Sequence, residues 1–130
     1  AFADPGIIAL MTRVKYPYNI NGTTQEILLS ELDKDISGNV ALIVSERDKI
    51  IDEMERLPAV VRVWPSDANF VLVRFDNPRL VYELLIDAGI IVRDRSHIPG
   101  CEGCLRITVG LPEENRIMLD VISKIGNGCF

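Results

Sequence analysis

The chain has 130 residues, with 14 Lys and Arg against 19 Asp and Glu, a formal net charge of −5 and 48% apolar residues, which is the balance of one globular domain with a core of its own. Its apolar runs are far too short to cross a bilayer, and an acidic balance without a Lys/Arg run argues against a nucleic-acid or anionic-membrane surface, leaving room only for a local cationic pocket. Three cysteines, an odd number behind no secretory leader, fit a reducing, cytoplasmic setting.

Asp4-Pro5-Gly6 predicts a turn, residues 7–14 a short helix, and Tyr16-Pro17-Tyr18-Asn19 an extended segment, because the residue before a proline is pushed out of the helical region. Thr23 or Thr24 is the expected N-cap of the next helix, with Glu26 at capping-box spacing from Thr23 and Ile27, Leu28, Leu32 and Ile36 at helical intervals. Ser37-Gly38-Asn39 interrupts that pattern. A further helix then places Val40, Ile43, Val44, Ile50, Ile51, Met54 and Leu57 on one stripe. Two helices nearly end to end over residues 22–57 are long for a compact domain, and the pair reads as a bridge between two bodies.

After Pro58 the texture changes. Residues 60–64 and 69–75 read as strands around the Pro65-Ser66-Asp67 turn, rich in β-branched and aromatic side chains. Asn77-Pro78 opens a helix that buries Leu80, Val81, Leu84, Leu85 and Ala88, and Gly89 sits where a left-handed C-terminal residue is wanted. A short strand over 90–93, a loop over 94–103 and an alternating strand over 105–109 follow. Pro112-Glu113-Glu114 starts the last helix, with Leu111 at a cap position where it has no side-chain acceptor to offer. The order predicts an α+β fold: a small, mostly antiparallel sheet with helices on one face.

Alternation along 105–109 carries the first chemical expectation. Leu105, Ile107 and Val109 share one face of the strand, which puts Arg106 and Thr108 on the other. Arg93 ends the neighbouring short strand. Two guanidiniums near adjacent strand ends suit a carboxylate or phosphate, since each offers a planar, bidentate fork. The competing reading is a solvated face or surface ion pairs with Asp94 and Glu102. Cys101-Glu102-Gly103-Cys104 is a CxxC between two strands; it lacks a second ligand pair for zinc and the strand-to-helix setting of a redox motif, so neither role is expected. His97 reads as a loop residue, and no metal site is expected. Lys15, Lys34, Lys49 and Lys124 lie in turn or amphipathic-helix contexts, unlike a desolvated Schiff-base nucleophile.

Tyr16-Pro17-Tyr18-Asn19-Ile20-Asn21, Ser66-Asp67-Ala68-Asn69-Phe70, the segment from Gly89 to Arg95 and the segment from Cys104 to Asn115 together resemble the histidinol-phosphate aminotransferases. These are fold-type I pyridoxal-phosphate enzymes of histidine biosynthesis, and the resemblance runs from about Ala1 to Ile122. It departs at Leu111, where the family has threonine, and residues 125–130 match no family pattern. It implies that residues 1–21 are the end of a large cofactor domain, 22–57 bridging helices and 58–130 a C-terminal small domain. It also implies that the Schiff-base lysine lies upstream, so that this chain alone neither binds pyridoxal phosphate nor transaminates. In the family, the arginine matching Arg106 binds the phosphate of histidinol phosphate and the α-carboxylate of glutamate, and the one matching Arg93 is a phosphate contact. Tyr18 and Asn19 are carried over as substrate-binding positions, and the full-length enzyme as a homodimer. Two other readings stay open: a free-standing anion-binding or regulatory domain, and the small domain of an aminotransferase with another amino-acid substrate.

Overall fold

The computed structural model describes residues 3–16 and 20–125. The chain divides into two compact units, Ala1–Asp35 and Ile36–Phe130. The first holds helices α1 (Pro5–Val14) and α2 (Gly22–Glu31), and none of its described residues is buried. Asp4-Pro5-Gly6 is the first turn of α1 rather than a separate turn, because the Asp4 carboxylate accepts the Gly6 N–H at 2.8 Å and so caps the helix. The cap of α2 is Asn21, not Thr23 or Thr24: its Oδ1 accepts the Thr24 N–H at 2.8 Å. A side-chain amide oxygen two residues upstream of Thr23 supplies the acceptor first, and the threonines fall inside the helix.

The second unit contains α3 (Ser37–Met54), β1 (Val60–Val63), β2 (Phe70–Phe75), α4 (Pro78–Asp87), β3 (Arg93–Asp94), β4 (Cys104–Thr108) and α5 (Pro112–Ile125). The strands form one antiparallel sheet in the order β1-β2-β4-β3, and α3 and α4 both pack on it, with α5 against each. Val71, Val73 and Phe75 of β2 and Leu105 and Ile107 of β4 point to that helical side and are at most 2% exposed. They meet Ile50 and Met54 of α3, Val81 and Leu85 of α4, and Met118 and Ile122 of α5. The period-2 pattern in the strands and the 3.6-residue pattern in the helices thus converge on a single core. No helix among the described residues is long and apolar enough to cross a membrane.

Two local devices set where the strands begin. Ser66 Oγ donates to the Phe70 carbonyl at 2.6 Å and accepts the Ala68 N–H at 3.1 Å, which ties the connection between β1 and β2 and starts β2 at Phe70. α4, capped by Asn77 Oδ1 on the Leu80 N–H, ends in a Schellman turn: Ile90 N–H donates to Leu85 O at 2.7 Å and Gly89 N–H to Ile86 O at 2.9 Å, with Gly89 at φ 79°. That turn is why the expected strand over 90–93 shrinks to Arg93–Asp94. The backbone at Ile90 is still closing the helix, and only beyond the buried Val92 does the chain reach the sheet.

Glu46 of α3 and Asn115 of α5 are the buried polar pair of this core, 5% and 4% exposed. Asn115 Nδ2 donates to Glu46 Oε2 at 3.0 Å and to Gly110 O at 3.0 Å, while its Oδ1 accepts the Gly110 N–H at 2.9 Å. Lys49 Nζ lies 2.7 Å from Glu46 Oε1. The Lys49 bond first, and the Asn115 bond second, hold the Glu46 carboxyl below the usual glutamate range. A carboxyl whose folded value is depressed adds stability that is complete above its unfolded value and is lost as pH falls through the folded one. Urea midpoints read from the single tryptophan, Trp64, between about pH 7 and about pH 3 should therefore fall on the acid side. Glu46→Gln should flatten that fall; parallel curves for the two proteins would remove this carboxylate from the explanation.

Candidate functional site

The face of the sheet turned away from the helices carries the arginines. Arg106 pairs with Leu72 on β2 and with Arg93 on β3 in the two antiparallel ladders. Directly opposite residues in such a ladder share a face, with Cβ atoms roughly 4.5–5.5 Å apart. Arg93 and Arg106 are therefore side-by-side neighbours, where the sequence placed them only on adjacent strand ends. Trp64 extends the row, its backbone N–H donating to Leu72 O at 3.0 Å.

Arg106 is half-buried. Its guanidinium carbon stands 5.0 Å from the centroid of the Phe70 ring, a cation–π seat on the diagonal neighbour of β2. Its Nε is buried and has no hydrogen-bond partner among the described residues. A charged donor is rarely left this way, since its desolvation is then uncompensated. Arg93 is exposed.

Surface ion pairs with Asp94 and Glu102 do not account for these arginines. Asp94 accepts the Ser96 N–H at 2.8 Å, and its carboxyl is lowered chiefly by that bond. Glu102 accepts the Gly100 N–H at 2.9 Å, and that bond leads the lowering of its own carboxyl. Both acids serve the loop between β3 and β4. Two like charges set directly opposite in a ladder destabilise it, so an anion bridging Arg93 and Arg106 would relieve that repulsion. Arg62 and Arg74 are opposite each other across β1 and β2, a second arginine pair that the sequence reading did not single out. Strand alternation could have placed Arg74 on the same face as Phe70 and Leu72, but only the register shows what stands beside it.

The site is open. A cavity of about 320 Å³ between the end of α4 and the start of α5 is lined by Gly89, Ile90, Thr108, Glu114 and Asn115 among others, and neither arginine lines it. At the start of α5, Leu111 lacks a side-chain acceptor, yet its N–H donates to Glu114 Oε2 at 2.8 Å. Half of a capping box thus survives, from the glutamate side. Gly110 is what makes room for it: a Cβ there would lie 2.6 Å from Glu114 Oε2.

Of the other candidate positions, Tyr18 and Asn19 lie outside the described residues. His97 is exposed in the loop, and its charge contributes a minor part of the lowering at Asp94. Among the described residues no group of three or more His, Cys, Asp or Glu side chains could hold a metal ion. The lysines do not fit a covalent cofactor link. All four are exposed, Lys34 is paired with Glu31 at 2.6 Å and Lys49 with Glu46, whereas a Schiff-base lysine is desolvated to lower its proton affinity. Among the described residues, then, no lysine stands in the desolvated setting of a Schiff-base nucleophile.

Comparison with known proteins gives a consistent result. A family model described as aminotransferase class I and II matches residues 1–122. The histidinol-phosphate aminotransferase of Cytophaga hutchinsonii is 43% identical over 125 residues, which cover 94% of this chain and 36% of that protein. That of Flavobacterium psychrophilum is 38% identical over 125 residues, covering 95% of this chain and again 36% of the relative. The chain thus spans about 36% of the length of these curated relatives. Among solved structures, the histidinol-phosphate aminotransferase of Clostridium acetobutylicum superposes with a TM-score of 0.82 over 94% of this chain and 38% of its own, at 24% identity. A decarboxylase of Sulfurospirillum multivorans superposes with a TM-score of 0.74 over 93% of this chain and 36% of its own, at 26% identity.

Proposed function

Since the chain belongs to the class I and II aminotransferase family, we propose that it is the C-terminal small domain of a histidinol-phosphate aminotransferase, and that Arg106 and Arg93 hold the acidic group of the substrate. The observation that carries this reading is the half-buried Arg106, seated on Phe70 with an unpartnered Nε and with Arg93 directly opposite. A bidentate fork fits a phosphate or a carboxylate equally well. One site can therefore serve the phosphate of histidinol phosphate in one half-reaction and the α-carboxylate of glutamate in the other. Holding the remote anion orients the amine, and positioning of this kind lowers a barrier by several kcal/mol. Pyridoxal phosphate, where bound in a full-length enzyme, supplies the electron sink for amino transfer; this chain's part is to bind and orient the anion.

Two further features support the domain reading. The arginine pair stands on an open face, as half of a cleft would. Ile27, Leu28, Leu29 and Leu32 of the first unit are each more than half exposed, an apolar set that a larger body would cover. We place the cofactor lysine on that larger body and expect the whole enzyme to be a cytoplasmic homodimer with small-molecule substrates. Likeness to a decarboxylase shows that the fold alone does not select the reaction; the paired guanidiniums are what favour a phosphorylated substrate.

The test is an assay of the full-length protein with histidinol phosphate and 2-oxoglutarate beside unphosphorylated aromatic and aliphatic amino acids. Histidinol phosphate should be the preferred donor, and the 130-residue chain supplied with pyridoxal phosphate should show no turnover. A preference for unphosphorylated donors would replace the substrate assignment with another aminotransferase. Turnover by the isolated chain would overturn the division of labour.

A further inference from the structure

The CxxC ends the loop that joins β3 to β4, the two strands carrying Arg93 and Arg106, with Cys104 the first residue of β4. Three successive turns build that loop: Ile98 N–H donates to Arg95 O at 2.9 Å, Cys101 N–H to Ile98 O at 2.9 Å, and Cys104 N–H to Cys101 O at 3.0 Å. The last of these makes the two cysteines the first and fourth residues of a β-turn, with Gly103 at φ 75° in its third position. A turn of this kind brings its end Cα atoms within about 7 Å, and disulfides span roughly 4.4–6.8 Å between Cα atoms.

The side chains favour the same pairing. Cys104 is fully buried, and its Sγ lies 3.8 Å from Glu102 O, so it folds back over the turn. Cys101 is half-buried and free. Burial first, and the charge of the neighbouring Cys101 second, push the Cys104 thiol up, while Arg74 acts in the opposite direction. The stem of Arg74 runs beside the turn, its Cγ 3.7 Å and its Nε 3.8 Å from where a Cβ on Gly103 would stand. The accessible thiol is thus positioned to attack a disulfide arriving from outside, and the buried one to resolve the product.

We propose that Cys101 and Cys104 form a reversible intra-turn disulfide by exchange with a small external disulfide of the glutathione type, stapling the loop between the two arginine-bearing strands. The Cys101 thiolate attacks one sulfur of the external disulfide, whose S–S bond breaks and releases one thiolate. The Cys104 thiolate then attacks the Cys101 sulfur, forming the Cys101–Cys104 bond and expelling the second thiolate. Two electrons pass to the external disulfide, which becomes two thiols by taking up the two protons that the cysteines lose. The closed staple fixes the loop at the end of the hairpin, where Arg95 N–H already donates to Cys104 O at 2.9 Å.

Equilibration of the full chain with graded ratios of reduced to oxidised glutathione, in a Cys129→Ser background, tests this directly. After alkylation and trypsin digestion, residues 96–106 form one peptide carrying both cysteines, and oxidation makes it two hydrogens lighter and unreactive to alkylation. The folded chain should be half-oxidised at a GSH²/GSSG ratio about tenfold higher than the same chain unfolded in urea, because the turn pre-sets the geometry. Cys104→Ser should instead trap a glutathione adduct on Cys101. Equal ratios folded and unfolded would overturn the proposal, as would an adduct that persists on Cys101 when Cys104 is present. If Cys104→Ser disturbs folding, Cys101→Ser supplies a second arm: it should leave the buried Cys104 unmodified at every ratio, and an adduct on Cys104 would overturn the assigned order of attack.

Discussion

Arg106→Ala in the full-length protein is expected to lower kcat/KM for histidinol phosphate and for glutamate together, each by roughly 30- to 1000-fold. A guanidinium–phosphate or guanidinium–carboxylate fork in a partly desolvated site is worth about 2–4 kcal/mol when one partner is truncated, and each ~1.4 kcal/mol is tenfold in rate. Both substrates should suffer because, in the proposed function, one fork serves both anions. Stability should change little, since the loss of the Phe70 contact is offset by relief of repulsion with Arg93. Arg106→Lys keeps the charge and loses the planar fork, so it should recover only part of the rate. Arg93→Ala, at the more exposed of the two positions, should cost less and should act more on the phosphorylated substrate. The measurements are steady-state kinetics and a thermal melt on the same preparations. An unchanged kcat/KM in Arg106→Ala would leave the paired arginines without a substrate role, and a collapsed melting temperature would recast Arg106 as structural.

The second large effect is on folding. Asn115→Ala removes three hydrogen bonds at once and leaves the Gly110 N–H and O without their side-chain partner. At about 1 kcal/mol for each bond, and more where the abandoned group stays buried, the loss is about 3 kcal/mol. Against a typical domain stability of about 5–15 kcal/mol, that should pull the urea midpoint down by roughly 1–3 M. Asn115→Asp separates the network from simple loss of volume. It sets a second carboxylate against Glu46, so its destabilisation should be worst near neutral pH and ease as acid protonates one of the pair. An Asn115→Ala midpoint within error of the parent would show that water replaces the amide and that the tie between α3 and α5 is dispensable.

Glu46 and Asn115 also mark where reading the sequence falls short. Glu46 stands in a run of charged residues, Glu46-Arg47-Asp48-Lys49, while Asn115 looks like an ordinary first-turn residue of α5. Nothing local distinguishes a buried polar pair from two solvated side chains. Their partnership spans 69 positions and exists only because α3 and α5 pack together. The N-cap of α2 failed for a different reason: Asn21, Thr23 and Thr24 are all competent acceptors, and backbone geometry chooses among them. The strand at 90–93 was shortened because the Schellman turn at Gly89 consumes residues that β-propensity alone assigns to the sheet.

The alternation of Leu105, Arg106, Ile107, Thr108 and Val109 was enough, by itself, to send Arg106 to the face opposite the core, since side-chain direction along a strand follows from its two-residue period. The helical stripes and the punctuation by Asn77-Pro78, Gly89 and Pro112 likewise determined the order of elements, because those signals are local. Which arginine stands beside which was decided only by tertiary structure. Strand register depends on pairing between segments far apart in the chain, and that pairing set Arg93 against Arg106, laid Phe70 beneath the guanidinium and left one Nε without a partner. Local propensity carries no information on that choice, because a slip of register would leave every residue in the same strand.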